Sequence, residues 1–119
     1  MALRILVADD DRTVRTALRR CLESNGTWQV CGEAANGLEA VMKSAQLQPD
    51  VVILDYAMPE MNGVDAARQI YSASPRLPIL MYTAFDVAAE ISRRLPNGCV
   101  RRIIQKDSPN ELLKALEAL

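Results

Sequence analysis

At 119 residues, half of them hydrophobic and 24% charged, the chain has the length and make-up of one ordinary globular domain with a real core. Its formal net charge of −1 argues against a nucleic-acid or membrane surface as the main partner, and the absence of histidine removes imidazole acid–base catalysis and imidazole metal ligation. No apolar run reaches membrane-spanning length and no signal-peptide pattern opens the chain, so a cytoplasmic location is expected.

Leu3-Arg4-Ile5-Leu6-Val7-Ala8 reads as a first buried strand, closed by Asp9-Asp10-Asp11. A helix follows, with Val14, Ala17, Leu18, Cys21 and Leu22 as its apolar stripe. Arg12, Arg15, Arg19 and Arg20 lie mostly off that stripe and read as a solvated face, and Asp11 reads as a cap. Asn25-Gly26 ends this helix. Trp28 to Ala34 reads as a second strand, and Asn36-Gly37 as a turn into a helix whose stripe is Leu38, Val41, Met42 and Ala45. The cysteines Cys21, Cys31 and Cys99 are widely spaced, form no CxxC pair and read as reduced, buried thiols.

Val51-Val52-Ile53-Leu54 reads as a fully buried central strand that ends on Asp55, with a loop containing Pro59, Asn62 and Gly63 directly after it. Val64 to Ser72 is a helix with Val64, Ala67, Ile70 and Tyr71 facing inward. Ile79 to Tyr82 is a fourth strand ending on Thr83-Ala84. Val87 to Leu95 is a short helix stopped by Pro96-Asn97-Gly98. Val100 to Gln105 is a weaker fifth strand, interrupted by Arg101 and Arg102 and ending on Lys106. The last helix has a capping box of Ser108, Pro109 and Glu111, and its apolar side is Leu112, Leu113, Leu116 and Leu119.

Buried strands alternating with helices imply an α/β fold. We expect a single doubly wound, five-stranded parallel sheet of flavodoxin-like form, strand order 2-1-3-4-5, spanning residues 1–119 as one domain. In such a sheet, ligands bind outside the carboxyl ends of the strands. Those ends supply Asp9 and Asp10, Asp55, Thr83 and Lys106. Each is weak evidence alone: an aspartate caps turns and helices, a threonine often ends a strand, and a lysine is usually solvated. Together, at four of five strand ends, they form a site. Clustered carboxylates call for a hard divalent cation, and Mg²⁺ suits a few carboxylates plus waters and phosphate oxygens. A hydroxyl and an ammonium complete the equipment for phosphoryl transfer, with a carboxylate as nucleophile.

Four runs carry a family resemblance: Ile5-Leu6-Val7-Ala8-Asp9-Asp10, Leu54-Asp55-Tyr56-Ala57-Met58-Pro59-Glu60-Met61-Asn62-Gly63, Thr83-Ala84, and Lys106-Asp107-Ser108. Over essentially its whole length the chain resembles the CheY-like receiver domain of two-component response regulators. The D-x-x-M-P-x-M-x-G run beginning at Asp55 is the most specific. Gly32-Glu33-Ala34-Ala35-Asn36-Gly37 and the Lys-Asp-Ser ending look like the NarL/LuxR-type subfamily, whose members usually carry a helix-turn-helix output domain.

The resemblance implies that Asp55 accepts a phosphoryl group from a partner histidine kinase or phosphotransfer protein. Asp10, Asp55 and the backbone carbonyl of Ala57 would hold Mg²⁺ directly, with Asp9 bound directly or through water. Thr83 and Lys106 would grip the phosphoryl oxygens. Enzymatic activity would be limited to self-phosphorylation and slow self-dephosphorylation. The fourth helix, fifth strand and fifth helix would form the output surface, a possible homodimer contact, where Arg93, Arg94, Arg101 and Arg102 would meet an acidic partner or a second receiver. DNA would be reached only through an output domain outside this chain, and no membrane is involved. Receivers usually place Tyr or Phe three residues before the lysine; here that residue is Ile103. Ile103 is stiff and has no ring to swing, so switching is expected through Thr83 and Phe85 in the loop Ala84-Phe85-Asp86.

A rival reading comes from Asp9-Asp10-Asp11-Arg12-Thr13, which matches the D-x-D-x-T signature of haloacid-dehalogenase-type phosphatases and makes Asp9 the nucleophile. It lacks a further acidic pair beyond Lys106 and leaves Asp55 without a role. A flavodoxin-like electron carrier would require a phosphate loop after the first strand, where three aspartates would repel it. A receiver-like module that only binds partners stays open because of Ile103.

Overall fold

The computed structural model describes residues 3–24 and 26–119; Asn25, expected to end the first helix, lies outside the described residues. Five strands and five helices alternate: β1 (Leu3–Ala8), α1 (Arg12–Glu23), β2 (Trp28–Ala34), α2 (Gly37–Leu47), β3 (Val51–Leu54), α3 (Gly63–Ala73), β4 (Ile79–Thr83), α4 (Ala88–Arg94), β5 (Arg102–Gln105) and α5 (Pro109–Glu117). The strands form one parallel sheet in the order β2-β1-β3-β4-β5, the doubly wound arrangement expected.

The two-residue period of a strand sorts its side chains between two cores. Leu6, Ala8, Val52, Leu54, Ile79 and Met81 face one side, beneath α2, α3 and the residues around α4. Ile5, Val7, Val51, Ile53, Leu80 and Tyr82 face the other, beneath α1 and α5. Burial on both faces explains why the inner strands read as unbroken apolar runs rather than alternating ones. At about 1.5–3 kcal/mol for each fully buried large aliphatic side chain, these two layers are the main source of stability. The edge strand β5 is shorter than expected, beginning at Arg102; Arg101 and Arg102 stay in solvent, and charge there discourages pairing with another sheet.

Several local expectations are corrected. On α2, Leu38 and Met42 are exposed, while Gly37 and Ala40 are buried. The helix packs through its small residues: a Cβ on Gly37 would stand 2.1 Å from the carbonyl oxygen of Met61. The capping box of α5 does not form, because the Ser108 hydroxyl donates to the Asp107 carboxylate at 3.1 Å. Leu119 is exposed. Of the thiols expected to be buried, only Cys99 is; Cys21 is exposed and Cys31 intermediate. Cys31 sits at a register shift between β1 and β2, where Ile5 pairs with Val30 and Leu6 with Gly32. Asp11 does cap α1, its Oδ1 accepting the Thr13 amide at 2.8 Å.

Candidate functional site

The residues that follow the strands are fastened to their neighbours by the last rungs of the sheet. The Asp9 amide donates to Ala34 O, the Asp55 amide to Ala8 O, and the Lys106 amide to Thr83 O, each at 3.0 Å. This zipper carries the side chains expected from the sequence to one edge. Asp9, Asp10 and Asp55 each offer a carboxylate oxygen to a cluster spanning at most 4.8 Å, with Asp9 and Asp55 buried and Asp10 exposed. From β5, Lys106 Nζ reaches across β4 to Asp9 Oδ2 at 2.7 Å and Asp55 Oδ2 at 3.2 Å. Burial opposes the charge on Lys106, but its hydrogen bonds to Asp9 and Asp55 outweigh that and hold the ammonium above the ordinary lysine range.

The two buried carboxylates are not equivalent. Asp9 has both oxygens occupied, Oδ1 by the Asp11 amide at 2.9 Å and Oδ2 by Lys106. Asp55 uses Oδ2 on Lys106, while its Oδ1 is fully buried and, among the described residues, without a hydrogen-bond partner. An orphaned anionic oxygen beside two more carboxylates is costly unless something positive or electrophilic meets it. Three acidic oxygens at this spacing are a hard, oxygen-only donor set, which fits Mg²⁺ or a similar cation.

The loop after β3 is drawn close to Asp55 by glycine. The Gly63 amide donates to Tyr56 O at 2.8 Å, and a Cβ on Gly63 would lie 2.2 Å from Asp55 O. Asn62 then caps α3 by accepting the Asp65 amide at 2.9 Å. At the loop tip Glu60 takes a left-handed conformation, φ 68°, in solvent.

Two supports went unread in the sequence. Arg15, expected on a solvated face, donates to Asp9 O at 2.7 Å and pairs with Glu33 at 3.0 Å; Arg19 pairs with the other oxygen of Glu33 at 2.9 Å. Burial raises the Glu33 carboxyl, but its hydrogen bonds to Arg19 and Arg15 prevail and hold it below its ordinary range. On the other side, the Tyr56 hydroxyl donates to the Glu90 carboxylate of α4 at 3.2 Å, which pushes the phenol above its usual range. Both partnerships join residues far apart in sequence, 18 and 34 positions, and carry no local signal.

Thr83 is fully buried, and its Oγ1 accepts the Phe85 amide at 3.3 Å. Phe85 is half exposed, and its ring lies 5.9 Å from that of Tyr56 at 58°. Ile103 is partly buried against the α4-side core, two strands away from Asp55 in the sheet. Asp9, Asp10, Asp55 and Lys106 thus converge, and Thr83 ends the strand between Asp55 and Lys106. Of the arginines expected to face a partner, Arg94 pairs within the domain with Asp65 at 2.6 Å and Glu90 at 2.9 Å while its side chain stays 34% exposed.

Such a sheet, with carboxylates and one lysine gathered at its carboxyl edge, defines a doubly wound α/β protein built around an acidic cluster able to hold a cation. Residues 5–117 match the family model of the response regulator receiver domain, so the chain belongs to that family. It is 35% identical over 116 residues to the chemotaxis protein CheY of Thermotoga maritima, covering 98% of this chain and 96% of that one. It is 33% identical to the response regulator protein VraR of Staphylococcus aureus, again over 98% of this chain but only 56% of the relative's length. Among solved structures, the response regulator domain of Thermotoga maritima CheB matches with a TM-score of 0.89 at 27% identity, covering 99% of this chain and 96% of the other. A LuxR-family two-component response regulator from Aurantimonas sp. matches with a TM-score of 0.89 at 28% identity, covering 99% and 84%. Among the described residues, no helix is long and apolar enough to cross a membrane.

Proposed function

We propose that this chain is a phosphorylatable receiver in which Asp55 is the phosphoacceptor. The observation that carries this reading is the asymmetry of the buried carboxylates: Asp55 keeps one oxygen unpaired, whereas both oxygens of Asp9 are occupied. Asp55 Oδ1 attacks phosphorus of a partner's phosphohistidine, the new O–P bond forms as the N–P bond breaks, and the imidazole leaves with the electron pair. Lys106, already on Asp55 Oδ2, shifts to a phosphoryl oxygen, and the Thr83 hydroxyl donates to another. Asp10, Asp55 and the Ala57 carbonyl would hold Mg²⁺, with Asp9 completing the acidic set directly or through water. When bound, the cation offsets the charge gathered on the phosphoryl oxygens.

Membership of the receiver family supports a switch rather than a turnover enzyme. The partners are a sensor histidine kinase or phosphotransfer protein and, through α4, β5 and α5, a second receiver or an output module, with DNA reached only through such a module. The domain occupies residues 1–119 and works in the cytoplasm. The phosphatase reading, which in addition to the Asp9 nucleophile makes Asp11 its general acid, loses support from the same geometry, because Asp11 is an exposed helix cap bonded to the Thr13 amide. The test is incubation with Mg²⁺ and a small acyl-phosphate donor. One hydroxylamine-labile phosphoryl group per chain is expected, and none on Asp55→Asn; equal labelling of that variant would overturn the assignment.

A further inference from the structure

We propose that the state of the site leaves it through Tyr56, and that the hydrogen bond from Tyr56 to Glu90 is a latch on α4 which modification of Asp55 releases. The proposal rests on the phosphoacceptor reading above and deepens it, because Ile103 has no ring with which to report the site.

The latch joins two fixed points through a soft one. Tyr56 follows Asp55 directly, and its backbone is held by the Gly63 amide at 2.8 Å. Its ring is partly buried against the core on the α4 side, and its hydroxyl lies 3.2 and 3.4 Å from the two Glu90 oxygens. The soft element is Phe85. Its amide donates to Thr83 Oγ1 at 3.3 Å, its carbonyl accepts from Gln105 Nε2 at 3.4 Å, and its ring leans on Tyr56 at 5.9 Å. These two bonds and the Tyr56–Glu90 bond itself are all at or past the long end of the range, so a shift of a few tenths of an ångström breaks any of them. The Thr83 hydroxyl that holds the Phe85 amide is the one proposed to turn toward a phosphoryl oxygen. Its movement therefore reaches Phe85 first, and Phe85 moves the ring of Tyr56.

α4 is built to respond. It is the shortest helix described, with seven residues, contains no buried residue and has no side-chain cap at Val87. It is pinned by buried Val87 before it, buried Leu95 after it and partly buried Ile91, and the Tyr56 bond is its polar tie to the site. Release leaves no charge stranded. Glu90 keeps Arg94 at 2.9 Å, and Arg94 keeps Asp65 of α3 at 2.6 Å. Release therefore costs one hydrogen bond and strands no charge, which suits a switch element.

The test uses beryllofluoride with Mg²⁺ as the phosphoryl mimic on the intact chain. Fluorine NMR reports occupancy of Asp55, and amide hydrogen exchange over residues 88–94 reports the latch. In the wild type the mimic raises exchange of these amides about fivefold, the size expected for losing one hydrogen bond of ordinary net strength, as suits a long bond at a part-buried site. Tyr56→Phe exchanges at the raised rate without the mimic, and the mimic adds less than about twofold. Phe85→Ala does the opposite: it binds the mimic but stays at the slow rate, since the latch is intact and nothing opens it. Absence of a bound fluorine signal overturns the phosphoacceptor reading, and the latch with it. Binding with unchanged exchange over 88–94 overturns the latch alone, as does an equal response in wild type and Tyr56→Phe.

Discussion

Replacing Lys106 with methionine should cost stability and strengthen cation binding together. The ammonium sits 2.7 Å from Asp9 and 3.2 Å from Asp55, whose side chains are 3% and 6% exposed. Without it, two buried carboxylates with oxygens no more than 4.8 Å apart face each other. At an effective dielectric near 20, two unit charges at that distance repel by roughly 3.5 kcal/mol. The opening toward solvent beside exposed Asp10 caps the loss. The expected net cost is about 2–3 kcal/mol, at and below the roughly 3–5 kcal/mol of a fully buried pair because the Lys106 side chain is 24% exposed. Urea unfolding in a chelator, followed by the single tryptophan, Trp28 in β2, should show the midpoint falling by roughly 1–2 M with unchanged slope. Saturating Mg²⁺ should recover most of the loss, because the two freed carboxylates then have a cation of higher charge. Asp9→Asn introduced with Lys106→Met should recover it without metal. A midpoint unmoved by Lys106→Met, or a double variant no more stable than the single, would refute this electrostatic account.

Gly63→Ala should be strongly destabilising, by about 2–3 kcal/mol, since its Cβ would meet backbone atoms of Asp55 at 2.2 and 2.9 Å and the chain itself must shift; thermal unfolding measures it, and a loss under about 0.5 kcal/mol would show that the loop is free to move away. Glu33 predicts a pH signature. Its carboxyl is held below the ordinary range by Arg19 and Arg15, so its contribution is full above the unfolded value of 4.5 and is lost as pH falls through the lower folded value. Glu33→Gln should therefore cost about 1 kcal/mol at pH 7 and nothing in strong acid, so that the two stability curves converge as pH falls; parallel curves would contradict the pairing.

The strand-end chemistry was legible in the sequence because topology alone brings it together. Once strands 1, 3, 4 and 5 are recognised, Asp9, Asp55, Thr83 and Lys106 can end up only on one edge, and the sheet order does the rest. Helix faces were less legible. On α2 the size of Leu38 and Met42 pointed the wrong way, because close approach of the Met61 backbone reserves the inner face for Gly37 and Ala40. The capping pattern at Ser108 was outcompeted by the charged acceptor next to it, Asp107. Long-range polar partners were not legible at all. Nothing near Arg15 announces Glu33, and nothing near Tyr56 announces Glu90; both pairs exist only once the helices have packed.

The central claim is that Asp55 receives the phosphoryl group, and chemical trapping reads that position directly. After reaction with an acyl-phosphate donor and Mg²⁺, borohydride reduces an aspartyl phosphate to homoserine, which tandem mass spectrometry locates within the peptide. The account predicts homoserine at position 55 in the wild type and nowhere in the Asp55→Asn variant. Homoserine at position 9, or a fully folded chain that binds Mg²⁺ and yields none, would contradict it.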